Sequence, residues 1–260
     1  QIALSKYFHN FFYIGESYKN EDVQLTGKIL VYGDSIAKDI KSIINRSSNL
    51  NVKDFTKLGC KFYEREIELE SYEKCSKHYR KIDEIINLAK EGDTLILAAD
   101  NPRKMEIDDK GEINNIEELN YLKKFLEKYI HQLNSKKIKV LYLLPYPDMH
   151  FSENIKLGPL CRKEIFRPYL NKKCYTQGKD VDLVAFKNSI KPYYEFLNAY
   201  TRKNKNFYLW DLTKVLCKDK CQAFSEGNQI YHDLNHLAAY NYHVNKVIFY
   251  DLVLQLDKIK

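Results

Sequence analysis

The sequence predicts an α/β fold: a mainly parallel sheet covered by helices on both faces. Three observations lead there. Ile29 to Tyr32, Thr94 to Ala99 and Val140 to Tyr146 are short continuous apolar runs, as expected of strands buried on both sides. Segments with apolar residues at helical spacing lie between them, and strands alternating with helices of this length build parallel sheets. The chain has 260 residues, 44% apolar and 30% charged, enough for one large soluble core and too apolar for a disordered chain.

Taken in order, residues 1–26 are aromatic and polar without a sustained period and read as an extension packed on the main domain, which spans 27–260. Lys28 to Tyr32 is a strand that ends at Gly33-Asp34-Ser35, after which Ile36, Ile40, Ile43 and Ile44 mark one helix face. Val52 to Phe55 is a second strand, and Lys57 to Glu73, with Gly59-Cys60, is a loop. A helix over about 76–90 stops at Glu91-Gly92-Asp93. Thr94 to Ala99 is the next strand, ended by Asp100-Asn101-Pro102.

Ile116 to Leu133 is helical through Leu119, Leu122, Leu126 and Ile130. Ile138 to Leu144 is a strand ended by Pro145 and Pro147, and 148–180 is a long irregular stretch of the kind that serves function. A helix over about 181–202 leads to a strand at Phe207 to Trp210, and a helix from Leu237 to Leu256 closes the fold. Asp233 and His236, three apart, are expected to share one face of a helical turn.

Composition narrows the function. No apolar run approaches the ~18 residues of a membrane helix. Starting at Gln1 without a leader, the chain reads as a mature product or a domain cut from a longer protein. The net charge of +7 comes from scattered lysines with no dense basic block, which argues for a solvated surface and against nucleic acid. Six cysteines form three close pairs, Cys60 with Cys75, Cys161 with Cys174 and Cys217 with Cys221. Local disulfides and an oxidising compartment are the favoured reading, reduced thiols the other.

The chemistry sits at opposite ends of the chain. A serine hydroxyl is a weak nucleophile until a histidine takes its proton and an acid holds that histidine in the right tautomer. Ser35 stands where a buried strand turns into a helix, so its hydroxyl can face a cleft with backbone N–H groups nearby. Asp233 and His236 supply the other two groups. A turn or an N-cap is the plainer reading of each motif taken alone. Gly59 and Asn101 are candidate oxyanion donors at neighbouring strand ends, each also readable as a turn residue. One metal-binding pattern competes: Cys217, Cys221, His232 and His236 run C-x3-C-x10-H-x3-H, near a zinc-finger spacing. A domain of this size needs no metal for its core, and the serine chemistry needs no cofactor.

These residues resemble the SGNH (GDSL-type) hydrolase superfamily, with Gly33-Asp34-Ser35 as its first block, Gly59 as its second and Asp233-x-x-His236 as its last. The chain is most similar to the SGNH domain fused to acyltransferase-3 membrane proteins, which O-acylate extracytoplasmic glycans. That likeness rests on Leu58-Gly59-Cys60, Leu143 to Pro147, and Cys217-x3-Cys221 leading into Tyr231-His232-Asp233-x-x-His236-Leu237, over roughly 27–257. The third block, Gly-x-Asn-Asp in the superfamily, reads Ala98-Ala99-Asp100-Asn101 here.

The resemblance implies a flavodoxin-like three-layer α/β/α sandwich with a five-stranded sheet. It implies Ser35 as nucleophile, His236 as base, Asp233 as its orienter, and Ser35, Gly59 and Asn101 around the oxyanion. It further implies acyl, most plausibly acetyl, transfer to a glycan hydroxyl. The donor would come through a transmembrane acyltransferase domain, and the setting would be extracytoplasmic and membrane-tethered. A free-standing carbohydrate esterase and a non-catalytic glycan-binding domain are the alternatives.

Overall fold

The computed structural model describes residues 27–63, 69–100, 116–149, 180–225, 228–232, 235–239 and 241–259. The expected extension over 1–26, residues 150–179 of the irregular stretch over 148–180 and the Cys161–Cys174 pair lie outside them. Strand β1 (Ile29–Gly33) runs into helix α1 (Ser35–Ser47), followed by β2 (Val52–Thr56), α2 (Leu69–Tyr79), α3 (Lys81–Leu88) and β3 (Thr94–Ala98). Then come α4 (Ile116–Ser135), β4 (Lys139–Leu143), the two-residue β5 (Val181–Asp182), α5 (Leu183–Ser189), α6 (Lys191–Lys203) and β6 (Phe207–Trp210). The short α7 (Thr213–Leu216), β7 (Lys220–Cys221), β8 (Phe224–Ser225) and β9 (Asn228–Gln229) precede α8 (Tyr242–Lys258).

Five strands form one parallel sheet in the order β2-β1-β3-β4-β6. Alternation along β1 explains the layers. Ile29 and Val31 face a core built with Ile36, Ile40, Ile43 and Ile44 of α1 and Val244, Ile248, Leu252 and Leu256 of α8. Leu30 and Tyr32 face the opposite core, closed by Ile82 and Ile85 of α3, Leu122, Leu126 and Ile130 of α4, and Tyr193 and Leu197 of α6. Each aliphatic side chain fully removed from water contributes roughly 1.5–3 kcal/mol, so these two faces hold the sandwich together. The flavodoxin-like three-layer α/β/α fold is the one observed.

Three boundaries differ from the sequence reading, each for a local reason. The helix expected near 76–90 begins at Leu69 and breaks at Arg80. The carbonyls freed there are not orphaned, because the buried Tyr32 hydroxyl lies within hydrogen-bond reach of His78 O, at 3.0 Å, and Tyr79 O. The helix over 181–202 divides at Ile190, since Pro192 cannot continue the previous helix but fits the first turn of the next. The last helix starts at Tyr242, where the Asn241 side chain accepts the N–H groups of His243 and Val244. Residues 237–239 are therefore loop, which changes the setting of His236.

Candidate active site

The strand order reverses between β1 and β3, and in open parallel sheets ligands bind in the crevice at the carboxyl ends of such strands. Ser35 follows β1 at this point, half-buried, as the first residue of α1. Gly33 makes the approach feasible. Its φ is +149°, and a Cβ there would lie 1.7 Å from the Ala98 carbonyl oxygen at the end of β3. No larger residue fits between the two strand ends.

Asp34, between them, is buried and caps α1: its Oδ1 accepts the Ile36 N–H at 3.0 Å. Its Oδ2 accepts the Asp100 N–H at 2.7 Å, tying the loop after β3 to the start of α1. Burial pushes the Asp34 carboxyl up to about 6, against the pull of those two hydrogen bonds and of nearby Lys61.

The C-terminal motif comes to the same place. Tyr231 and Leu237 form an antiparallel bridge, and the His232 N–H donates to the His236 carbonyl at 2.7 Å. His236 thus sits, half-buried, on a loop beside this bridge, with no helix over 235–239. Three hydrogen bonds fix that loop. Asn235 Nδ2 donates to Asp100 Oδ1 at 2.5 Å, and the Tyr146 hydroxyl donates to the Asn235 carbonyl at 3.1 Å. Burial holds the Tyr146 hydroxyl well above the usual phenol range, so it stays a donor. On the other side of His236, the Leu237 N–H donates to Asp39 Oδ2 at 3.2 Å. Asp39 is one turn beyond Ser35 on α1, on the same face. A cleft lined by Ile36, Ala99, Asp100, Leu143 to Tyr146 and Asn235 opens among these segments.

Gly59 lies on an exposed turn after β2, closed by the Cys60 N–H donating to Lys57 O at 3.1 Å, with φ +71°. α2 holds this turn from behind. Cys75 is disulfide-bonded to Cys60, and His78, close to one helical turn on, packs its ring against that of Tyr32, with 4.9 Å between ring centroids. Burial keeps His78 down to about 4, so its ring is neutral there. Asp233 and Asn101 lie outside the described residues.

The second disulfide, Cys217–Cys221, removes both sulfurs from the zinc-like pattern, since disulfide sulfurs are not thiolate ligands. Local pairing holds for both cysteine pairs among the described residues. Sequence reasoning missed Asp34, Asp39, Asp100, Tyr146 and Asn235 as the scaffold. A hint lay in their positions beside the motifs, but nothing local indicates that residues 135 apart bond to each other.

Comparison with known proteins bears on the chemistry. The family model described as SGNH domain (fused to AT3 domains) matches residues 10–242. The chain belongs to this family. Membership brings acyl-transfer or esterase-type chemistry at the level of the family. The SGNH domain also superposes on the solved structure of a lipopolysaccharide acetyltransferase periplasmic domain from Salmonella ser. Paratyphi A, with a TM-score of 0.55 and 14% identity. The alignment covers 98% of this chain and 97% of that one, and at this identity it shows the shared fold. A comparison with curated proteins gives no match. No helix among the described residues is long and apolar enough to cross a membrane.

Proposed function

We propose that this SGNH domain transfers an acyl group, acetyl, to a hydroxyl of an extracytoplasmic glycan through an acyl-serine. The Ser35 hydroxyl oxygen attacks the acyl carbonyl while His236 takes its proton and Asp233 orients the imidazole. The negative charge on the carbonyl oxygen is met by main-chain N–H groups at Ser35 and Gly59, with Asn101 as a third donor. Collapse expels the donor's leaving group with the proton from His236. An acceptor hydroxyl then gives His236 its proton, attacks the acyl-serine and leaves as the ester, returning the proton to Ser35.

The observation that carries this reading is the tie from Leu237, next to His236, to Asp39, one turn from Ser35. Two motifs some 200 residues apart thereby converge on one helix. The family's description, a domain fused to AT3 domains, supports a transmembrane acyltransferase domain as the source of the acyl group. Two disulfides support an oxidising, extracytoplasmic setting, as does the periplasmic origin of the Salmonella neighbour.

The test is labelling with an active-site organophosphate followed by peptide mass spectrometry, together with turnover of a chromogenic acetyl ester. An adduct on Ser35, and a loss of at least ~10³-fold in turnover for Ser35→Ala and for His236→Ala with folding retained, are expected. Absence of the adduct, with turnover unaffected in Ser35→Ala, sinks the reading. Acylated glycan in excess over free acid separates transfer from hydrolysis.

A further inference from the structure

A second cavity shares Leu144 and Pro145 with the cleft beside Asp100 and Asn235 and has no part in the chemistry above. It holds about 140 Å³ and is lined by Leu144, Pro145, Phe186, Lys187, Ile190, Lys191, Tyr194, Asp211 and Thr213. Leu144 and Pro145 line both spaces and stand between them. That divider is firm: the Leu144 N–H donates to the Trp210 carbonyl at 2.8 Å, bonding the end of β4 to the end of β6.

Whole small-molecule pockets begin at roughly 300 Å³, so this volume suits a single ring and excludes a lipid tail or a peptide segment. The walls are apolar, with Phe186 half-buried and Tyr194 39% exposed at the rim. An amphipathic ring with an exposed face can stack against the C–H face of a sugar while its hydroxyl stays wet. Of the three charged lining residues, two are lysines and one is an aspartate. Lys187 has no carboxylate partner among the described residues, and Lys191 is paired only loosely with Glu195, at 3.8 Å between exposed side chains. Asp211, the one lining carboxylate, already accepts both the N–H and the hydroxyl of Thr213 on Oδ1. The break between α5 and α6 at Ile190 brings Lys187 and Lys191 to the same opening.

We infer that this cavity binds one acidic sugar residue of the acceptor glycan, next to the residue that is acylated over Ser35. The inference rests on the acyl-transfer reading for the word acceptor, and on the cavity alone for the word acidic. Charge complementarity selects a carboxylate-bearing ring over a neutral one, and Tyr194 supplies affinity for either.

The probe is the trisaccharide of galacturonic acid, compared with its methyl ester, in equilibrium binding to the 260-residue chain. The acid form is expected to bind at least tenfold more tightly than the ester. The double variant Lys187→Glu, Lys191→Glu should erase that preference to within twofold, as should the milder Lys187→Gln, Lys191→Gln if the first is perturbed. Tyr194→Ala should weaken both ligands about equally. Equal affinity for acid and ester, no binding of either, or a preference that survives both lysine variants overturns the inference. Acylation of Ser35 by the chromogenic ester is measured on the same proteins. A failed cavity leaves that acylation intact, and a failed serine leaves the sugar preference intact, so the two claims fall separately.

Discussion

Asp100 shows how much of this site depends on single atoms. It uses its N–H to bond Asp34 and its carboxylate to bond the Asn235 side chain, so one residue joins the nucleophile turn to the histidine loop. Removing a hydrogen bond to a charged group costs roughly 1.5–3 kcal/mol, and a misplacement near 1 Å at a reacting group costs on the order of 10² in rate. Asp100→Ala should therefore lose about 10–100-fold in acetyl-ester turnover with a modest drop in stability, while Asp100→Asn, which can still accept from Asn235, recovers most of it. A rate loss equal in both variants, or none, refutes this clamp. Gly33→Ala tests the other side of the same point, because its new Cβ meets the Ala98 carbonyl, and it should lower thermal stability with or without substrate. The sequence made Ser35 and His236 legible as candidates because their chemistry is written into short motifs. Asp100 was legible only as a turn residue at a strand end, since its partner at 235 is brought to it by the whole sheet.

The elements show the same division between local and distant causes. β1, β3 and β4 were legible because continuous apolar runs of that length have few other uses, and α1 because its isoleucines repeat on one face. The break at Arg80 was not, because the group that satisfies it, the Tyr32 hydroxyl, comes from a strand nearly fifty residues earlier. Likewise the first turn expected at Leu237 is prevented by the bridge to Tyr231 and the tie to Asp39, neither written in the local pattern. α2 carries the clearest consequence at this scale. Its Cys75 holds the Gly59 turn, and the Cys60–Cys75 disulfide closes a 15-residue separation. By loop-closure entropy that link contributes about 3 kcal/mol, against about 2 kcal/mol for the four-residue Cys217–Cys221 link. The pair Cys60→Ser, Cys75→Ser should thus show the larger loss in chemical denaturation. It should also slow acetyl-ester turnover more than Cys217→Ser, Cys221→Ser, because only the first frees Gly59. Equal turnover in the two double variants would remove Gly59 from the site.

Across the whole molecule, the ground behind the nucleophile carries two buried titrating groups that bias folding in opposite directions. Burial raises Asp34 from 3.8 to about 6, so the folded state holds its proton more tightly than the unfolded chain does. Its contribution is complete below about pH 4 and is lost as pH rises through 6. Burial lowers His78 from 6.5 to about 4, so the unfolded chain binds that proton more tightly. Its contribution is complete above about pH 6.5 and is lost as pH falls through 4. Each shift is equivalent to about 3 kcal/mol, and the two windows overlap between pH 4 and 6. The wild-type chain should therefore hide both titrations, its stability changing little there on their account. Single variants expose them. The stability of wild type minus Asp34→Asn should fall by about 3 kcal/mol from pH 4 to 6.5, and that of wild type minus His78→Gln should rise by about as much, both read by urea denaturation at each pH. Taking differences cancels the remaining carboxylates, so a flat line in either series removes that residue from the account. The two slopes must also be opposite in sign, since burial disfavours the charged form of each, raising a carboxyl and lowering an imidazole.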